Sequence, residues 1–290
     1  MTVHQDRLIS DGEFPLTESD FRTVSKILHA EAGISLSDEK VSLVYSRLAK
    51  RLRALRLPSF RAYCDLITSP EGTGERGEMI AALTTNVTRF FREPHHFEHL
   101  RTKILPDLIA SARQGLRIRL WSAACSSGQE PYSMAMTLLS AFPEAPRHDI
   151  KILATDIDPN MIRQGQRGIY AQSAMESVPA GLQSRWFTPS EGEEMEVGRE
   201  LRALVSFRRL NLIGDWPMSG RFHVVFCRNV VIYFNPETQI RIWERFAPVL
   251  DPQGVLYIGH SERVTGPAER LFRSDGITTY RPAQRAAGMP

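Results

Sequence analysis

The sequence predicts an α/β protein: a mostly parallel, doubly wound sheet preceded by a helical region and broken by one insertion. Three observations predict it. From residue 118 onward, apolar strand-like runs alternate with helical segments, the pattern of a parallel sheet with crossover helices. At Arg119–Leu139, RLWSAACSSGQEPYSMAMTLL reads as a buried strand, a loop of small residues and a helix. Before residue 85 the apolar residues recur at helical spacing instead.

The elements follow in order. Residues 1–16 read as a loose, polar start. Thr17 caps a first helix, with Asp20 three residues on, and Phe21, Val24, Ile27 and Leu28 form its apolar stripe. Gly33 ends it. Ser37 or Asp38 starts a second helix carrying Val41, Val44, Leu48, Leu52 and Leu55. Its second half holds Arg47, Lys50, Arg51, Arg53 and Arg56 with no acid among them, and Pro58 closes it. Ser59–Thr68 is a short third helix. The glycine-rich run Ser69–Glu78 reads as a loop and Met79–Leu83 as one further turn. TTNVTRFFRE then leads into a helix over Pro94–Ser111. The first domain is expected to cover residues 1–85 as a helical domain with linker, and the second residues 86–290.

Strands are expected at Ile118–Ala124, Ile150–Ile157, Val205–Leu210, His223–Cys227 and Val255–Gly259. Helices follow the first strand, Pro159 and Pro236. Leu271–Phe272 and Ile277–Tyr280 add late strands. Residues 168–204 interrupt the rhythm with a long charged stretch, which reads as an inserted subdomain rather than a bare loop.

Composition bounds the class. The 290 residues are 42% hydrophobic and 24% charged, with a net charge of +3, as in globular proteins and without a global pull toward nucleic acid. Three widely spaced cysteines (Cys64, Cys125, Cys227) make neither a disulfide framework nor a metal motif. The N-terminal MTVHQDRLISDGEF has no apolar run, so no secretory signal is expected and the expected location is the cytoplasm.

Several segments bear chemistry. Cys125–Gly128 lies where a doubly wound sheet binds its ligand, and Gly128 allows close backbone approach. A dinucleotide fingerprint needs three glycines and one is present, so a pyrophosphate cradle is unsupported. Asp156 ends the second strand, where an acid accepts from a ribose diol; Asp158, before Pro159, is the better helix cap. Arg228 and Asn229 follow an apolar strand at the ligand-facing end. Tyr233 puts one hydroxyl in an apolar run, which composition alone reads as a core tyrosine. TTNVTRFFRE reads either as a strap across the site or as a linker that packs Phe90 and Phe91. His95, His96 and His99 lack suitable acids nearby, so no metal is expected. GHSE (Gly259–Glu262) lacks the flanking glycines of a nucleophile elbow.

Taken together, TTNVTRFFREPHHF, WSAACSSGQEPYSMAM, ATDID, the LNL of Leu210–Leu212, FCRNVVIYF and GHSE occur in an order and spacing that closely resembles the CheR-type chemotaxis protein methyltransferases, protein-glutamate O-methyltransferases. The resemblance runs from about residue 15 to residue 282. It implies an S-adenosylmethionine-dependent methyltransferase (Rossmann-like) sheet, an N-terminal helical domain and a small inserted β-subdomain. It implies S-adenosyl-L-methionine as cofactor, S-adenosyl-L-homocysteine as product, and glutamates of methyl-accepting chemotaxis receptors as substrate, for sensory adaptation.

By motif, the implied cofactor-binding residues are Asn86, Thr88, Arg92, Glu130, Asp156, Asn211, Leu212, Asn229 and Val230. Arg92 and Tyr233 are implied nearest the transferring methyl group. The chemistry agrees: Glu130 suits the cofactor's amine, Arg92 its carboxylate, Asp156 its ribose diol, and the Asn211–Leu212 backbone its adenine. With no pyrophosphate, a glycine triplet is unnecessary. The cationic run Arg47, Lys50, Arg51, Arg53 and Arg56 becomes a docking face for a glutamate-rich receptor bundle. Thr188–Val197, TPSEGEEMEV, is short and acidic, which points to the branch of the family that works without a receptor C-terminal pentapeptide. The expected protein is a monomer that binds no nucleic acid or metal and does not insert in a membrane. Two competing readings are methyl transfer to a nucleic acid or small molecule, and a non-catalytic S-adenosylmethionine-binding module.

Overall fold

The structure, a computed structural model, describes residues 7–10 and 12–283. Residues 1–6 of the expected polar start, and residues 284–290 of the expected second domain, lie outside the described residues. The chain divides into two compact units. One comprises residues 1–85 together with Tyr233–Asn235, the other residues 86–232 and 236–290.

The first unit opens with a small antiparallel pair, β1 (Arg7–Ile9) and β2 (Leu16–Thr17), where the sequence suggested only loose chain. Helix α1 (Glu18–Ala32) starts at Thr17 through a full capping box with Asp20 and stops at Gly33, whose φ of 73° only glycine adopts readily. Helices α2 (Val41–Leu55) and α3 (Phe60–Thr68) bury Val44, Leu48, Leu52, Phe60, Tyr63 and Ile67. The end of α2 is set by Arg56 in the left-handed region at φ 55°, ahead of Pro58.

Ser69–Glu78 is not a loop. Pro70–Gly72 forms a 3-10 turn and α4 runs over Thr73–Leu83. Two glycines lower its helix propensity, but tertiary bonds override them. Glu75 accepts a two-pronged bond from Arg51 (2.9 and 2.6 Å) and a third from the Tyr63 hydroxyl (2.9 Å). Arg76 donates to the carbonyls of Ile67 and Ser69 and pairs with Glu31 at 2.8 Å.

In the second unit, the expected helix over Pro94–Ser111 is three pieces: α5 (Pro94–His99), a π-helical turn over Leu100–Ile104, and α6 (Leu105–Arg113). Pro106 is the cause. It has no N–H to give to Thr102, so the ladder slips by one residue and the Leu105 N–H reaches back to Leu100.

The sheet follows. β3 (Ile118–Ala123), α7 (Gln129–Ala141), β4 (Ile150–Asp156) and α8 (Pro159–Arg167) form the first crossovers. β8 (Val205–Arg209), β9 (Phe222–Cys227), α11 (Pro236–Val249) and β10 (Leu250–Ile258) complete the parallel part, and the hairpin β11 (Phe272–Gly276) and β12 (Thr279–Pro282) closes it. The order is β11-β12-β10-β9-β3-β4-β8, parallel from β10 to β8 and antiparallel through the hairpin. The order reverses between β3 and β9, which puts the ligand crevice outside the carboxyl ends of β9, β3 and β4.

Between α8 and β8 sits the insertion. β5 (Ile169–Ala171), β6 (Phe187–Pro189) and β7 (Glu194–Val197) make a separate antiparallel sheet of order β5-β7-β6, with α9 (Ala180–Trp186) and α10 (Arg199–Leu204) beside them.

The bond between Arg51 and Glu75 is mostly buried, and removing one partner strands the other. Arg51→Ala is expected to cost the helical unit about 2 kcal/mol. In a urea melt followed on that unit, the midpoint falls, while Lys50→Ala, on an exposed position, leaves it unchanged.

Candidate functional site

Four strand ends and one irregular strap supply the site residues. After β3 the chain turns through Ala124, Ser126 and Gly128, all at positive φ (65°, 49° and 99°). Gly128 is required twice. Its φ disfavours any side chain, and an added Cβ would lie 2.8 Å from the Tyr170 hydroxyl and 3.1 Å from Phe207. The close approach at Gly128 is to Tyr170 and Phe207, where the sequence suggested approach to a ligand.

Asp156 is not left free by Asp158. Its Oδ2 accepts from the Ser126 N–H (2.8 Å) and its Oδ1 from the Asp158 N–H (2.9 Å). A carboxylate offers about four lone-pair positions, so two remain. Burial pushes its pKa up to about 6 against the pull of those backbone bonds. Asp158 caps α8 through the Asn160 N–H and also accepts from Asn86 Nδ2 at 2.9 Å. Ser126 Oγ donates to the Asn86 carbonyl at 2.9 Å. Asn86, Ser126, Asp156 and Asp158 thus form one network at the ends of β3 and β4.

Glu130 sits in the first turn of α7. Its Oε1 accepts from Ser122 Oγ at 2.7 Å and its Oε2 faces Arg228 Nη1 at 3.4 Å. Burial raises its pKa, opposed by Arg228 and by the Ser122 bond. Arg228, 5% exposed, is the residue the sequence noticed but gave no role. Its guanidinium lies between Glu130 and Glu93 (3.5 Å), donates to the Arg92 carbonyl, and rests over the rings of Phe97 and Phe226 at 5.8 and 5.6 Å.

TTNVTRFFRE packs its two aromatics, as the linker reading expected: Phe90 is fully buried and Phe91 meets Phe97 edge-on. Phe90 packs edge-on against Tyr170 and Phe187 of the insertion, and the Phe91 N–H donates to Ser133 Oγ at 3.0 Å. Arg92 turns back to the Val87 carbonyl at 3.0 Å, which holds the half-buried Thr88 inside the bend. Phe91 and Glu93 both take left-handed backbone (φ 51° and 57°), a strained bend held by these contacts.

At the third strand end, the Leu210 N–H donates to the Asp156 carbonyl at 2.9 Å and Asn211 Oδ1 accepts from the Ile213 N–H. The Leu212 carbonyl already accepts from Trp216 Nε1 (3.1 Å) and Arg245 Nη1 (2.7 Å). The Asn211 carbonyl accepts from the Gly214 N–H.

After β9, Asn229 stands in the left-handed region (φ 58°) and its Nδ2 faces Glu93 Oε1 at 3.4 Å. The amides of Asn229 and Val230 both donate to Glu262, at 2.9 Å each. Tyr233 lies in a 3-10 turn, Val231–Tyr233, and groups with the helical unit, where its carbonyl accepts from the Ser35 N–H at 2.9 Å.

The docking run is used quite differently from a solvated face. Arg47 donates to the carbonyls of Thr84 (2.5 Å) and Ala82 (3.2 Å), Arg51 is bound to Glu75 and Glu78, and Arg53 pairs with Glu13 at 2.8 Å. Among the described residues, Lys50 and Arg56 alone of the five are exposed and without such a bond.

Of the histidines, His99 Nδ1 bonds the Tyr257 hydroxyl at 2.9 Å and His96 Nε2 the Thr278 Oγ1 at 2.8 Å. Glu93, His95 and His96 bring one ligand atom each within 4.8 Å of one another. Arg228 already supplies the cation beside Glu93, and burial pushes His96 down to about 3.

Sheet order and site chemistry define the class. Asp156 buried at the end of β4 and Glu130 mostly buried in the first turn of α7, with no glycine-rich phosphate cradle, fit a nucleoside ligand with a diol and a cationic amine, as S-adenosylmethionine has. This is an S-adenosylmethionine-binding methyltransferase domain. A family profile described as "CheR methyltransferase, SAM binding domain" matches residues 86–281, and "CheR methyltransferase, all-alpha domain" matches residues 19–84. The chain is 51% identical over 265 residues to a "Probable chemotaxis protein methyltransferase" of Rhizobium etli, covering 90% of this chain and 99% of that one. It is 43% identical to "Chemotaxis protein methyltransferase 2" of Pseudomonas aeruginosa (95% and 97% covered) and 40% identical to "Chemotaxis protein methyltransferase" of Escherichia coli (91% and 91%). The chain belongs to the CheR methyltransferase family and its cofactor is S-adenosylmethionine.

Gly128→Ala combines a left-handed backbone with a close contact, so a stability loss of about 2 kcal/mol is expected. A thermal melt checks it, and Gly181→Ala, on an open position, serves as the neutral control.

Proposed function

We propose that this chain converts glutamate side chains of methyl-accepting chemotaxis receptors to glutamyl methyl esters, in the cytoplasm and as a monomer. The observation that carries the site reading is the pair of carboxylates Glu130, in the first turn of α7, and Asp156, at the end of β4, each with a raised pKa. Such groups gain from a cationic or hydroxyl-bearing ligand that restores what burial removed.

S-Adenosylmethionine supplies a methyl group on a sulfonium centre, open to in-line displacement by a carboxylate. A receptor glutamate is already ionised at neutral pH, so no general base is required of the protein. Its residues bind, orient and exclude water. Glu130 takes the cofactor's ammonium, Asp156 the ribose hydroxyls through its two remaining acceptor positions, and Arg92 the carboxylate. Asn86 and Thr88 on the strap, Asn211 and Leu212 after β8, and Asn229 and Val230 after β9 line the remainder. Tyr233 orients the incoming carboxylate.

Receptor docking is narrower than the charge run suggested. Arg47 and Arg51 hold the helical unit together, and Arg53 is paired. Lys50 and Arg56 are the cations offered to an acidic receptor bundle, together with Arg53 when Glu13 gives way. That economy of exposed cation also disfavours a nucleic-acid substrate. The short acidic turn between β6 and β7 supports action without a tethering pentapeptide.

Transfer of a radiolabelled methyl group to receptor membranes, followed by alkaline release, tests the reaction. A glutamyl ester is base-labile, whereas amide or nucleobase methylation is not, and a non-catalytic module gives no label. Three further outcomes are expected. Tyr233→Phe lowers kcat about tenfold in a single-turnover assay while the Kd for S-adenosylhomocysteine holds. Lys50→Glu with Arg56→Glu raises the KM for receptor several-fold and weakens its salt dependence, with the melting temperature unchanged. The Asp156 case follows from sign: in the ligand-free protein the carboxylate takes up a proton at about pH 6, and the diol needs the ionised acceptor. Affinity for S-adenosylhomocysteine is full above that pH and falls as pH drops through it, measured by calorimetry, and Asp156→Asn binds weakly with a flat profile.

A further inference from the structure

Glu262 ends the GHSE segment that the sequence associated with no chemistry of its own. It is 3% exposed, and the described residues offer it no ion-pair partner. Its carboxylate is instead held by backbone. Oε1 accepts from the amides of Val230 (2.9 Å), Val231 (2.7 Å) and Ile232 (3.4 Å). Oε2 accepts from Asn229 (2.9 Å) and from Gly259 (2.5 Å). Five N–H groups on one buried carboxylate form a cradle in which backbone dipoles do the work of a cation.

The cradle joins neighbours. β9 and β10 run parallel with Ile258 opposite Cys227, and the carboxylate bridges the chain just beyond both ends. The clearance is fully used. A Cβ on Gly259 would lie 2.5 Å from Asn229 Nδ2, 2.7 Å from Asn229 N and 2.8 Å from Glu262 Oε2. Asn229 itself is in left-handed backbone, a conformation a non-glycine residue keeps only when its surroundings impose it. Glu262 is what imposes it, since it accepts the amides of Asn229 and of the three residues that follow.

We propose that Glu262 is a positioning residue for methyl transfer. It sets the backbone of residues 229–232, and so the placement of Asn229 and Val230 toward the cofactor. This deepens the methyl-transfer reading above and rests on it for the role of Asn229 and Val230. The requirement is specific to a carboxylate: in Glu262→Gln one oxygen becomes an NH2 that faces N–H groups, donor against donor.

The test reads the ligand-free protein first. By amide hydrogen exchange, Glu262→Gln is expected to speed exchange at Asn229, Val230, Val231 and Gly259 about tenfold or more, with protection in β3 and β4 unchanged. Calorimetry then shows the Kd for S-adenosylhomocysteine raised about tenfold, as loss of charge-assisted bonds at the turn implies. The KM for receptor stays as in the wild type, because the proposed docking residues lie on α2. Glu262→Asp, which keeps the charge but shortens its reach, gives intermediate values and decides the matter if Glu262→Gln does not fold. Exchange unchanged at those four amides overturns the cradle. Faster exchange there with the Kd unchanged overturns the positioning role, and so does equal loss of protection through the whole sheet, which marks a structural residue only. If the Kd rises as expected while receptor methylation is absent from the wild type, the substrate reading fails and the positioning of the cofactor turn stands.

Discussion

The site is arranged around one buried cation. Arg228 leaves β9 at its carboxyl end with almost no access to water; its two terminal nitrogens are met by neighbours, while its Nε has no hydrogen-bond partner. Glu130 comes from the β3–α7 turn, Glu93 and the Arg92 carbonyl from the strap, Phe97 and Phe226 from below. A buried arginine without carboxylates would cost several kcal/mol, and two carboxylates without the arginine would repel each other. Neither can be lost alone. The irregular strap therefore has its place fixed by charge at one end and by the aromatic contacts of Phe90 at the other.

That arrangement settles a competition at Glu130. A carboxylate in the first turn of a helix is favoured by the helix dipole, and Arg228 favours it further. Burial works against both, and burial wins, because the pKa is raised. At 3.4 Å the Arg228 contact is long for an ion pair that is meant to be complete. Glu130 is thus only partly compensated by protein, which is the condition in which a ligand's ammonium contributes most. Asp156 is in the same state for a different reason: two backbone amides do not offset its desolvation. Two carboxylates in this state favour the cationic and hydroxyl-bearing ligand proposed above over a phosphate.

Much of this was legible in the sequence. The five parallel strands announce themselves as apolar runs, and Asp156 stands out as a charge at a strand end; Glu130 was reached only through the family motif. The capping box at Thr17 and Asp20 is local and so was readable. What escaped depends on distant partners. Glu75 and Arg76 turn an apparent glycine-rich loop into a helix through Arg51, Tyr63 and Glu31, none of them near in sequence. The same bonds take Arg51 out of the cationic face that a local count of charges assigned it to. The π-helical turn at Leu100–Ile104 had a visible cause in Pro106, but the pattern of apolar residues runs on through it. Ile277, expected in a strand, is 73% exposed because Thr278 turns the hairpin in left-handed backbone.

Glu262 shows why the remainder was hidden. A carboxylate that serves five main-chain amides leaves no trace in side-chain chemistry, since the residues it serves can be of any type; valine, isoleucine and asparagine give no hint of a shared acceptor. The one local mark is Gly259, where no Cβ fits. The same logic separates the two kinds of acid in this crevice. Glu262 is fully compensated by backbone and therefore holds shape. Glu130 and Asp156 are under-compensated, which suits the ligand roles proposed for them. Acids of equal formal charge, set at neighbouring strand ends of one sheet, acquire opposite tasks according to how many donors the fold has already given them.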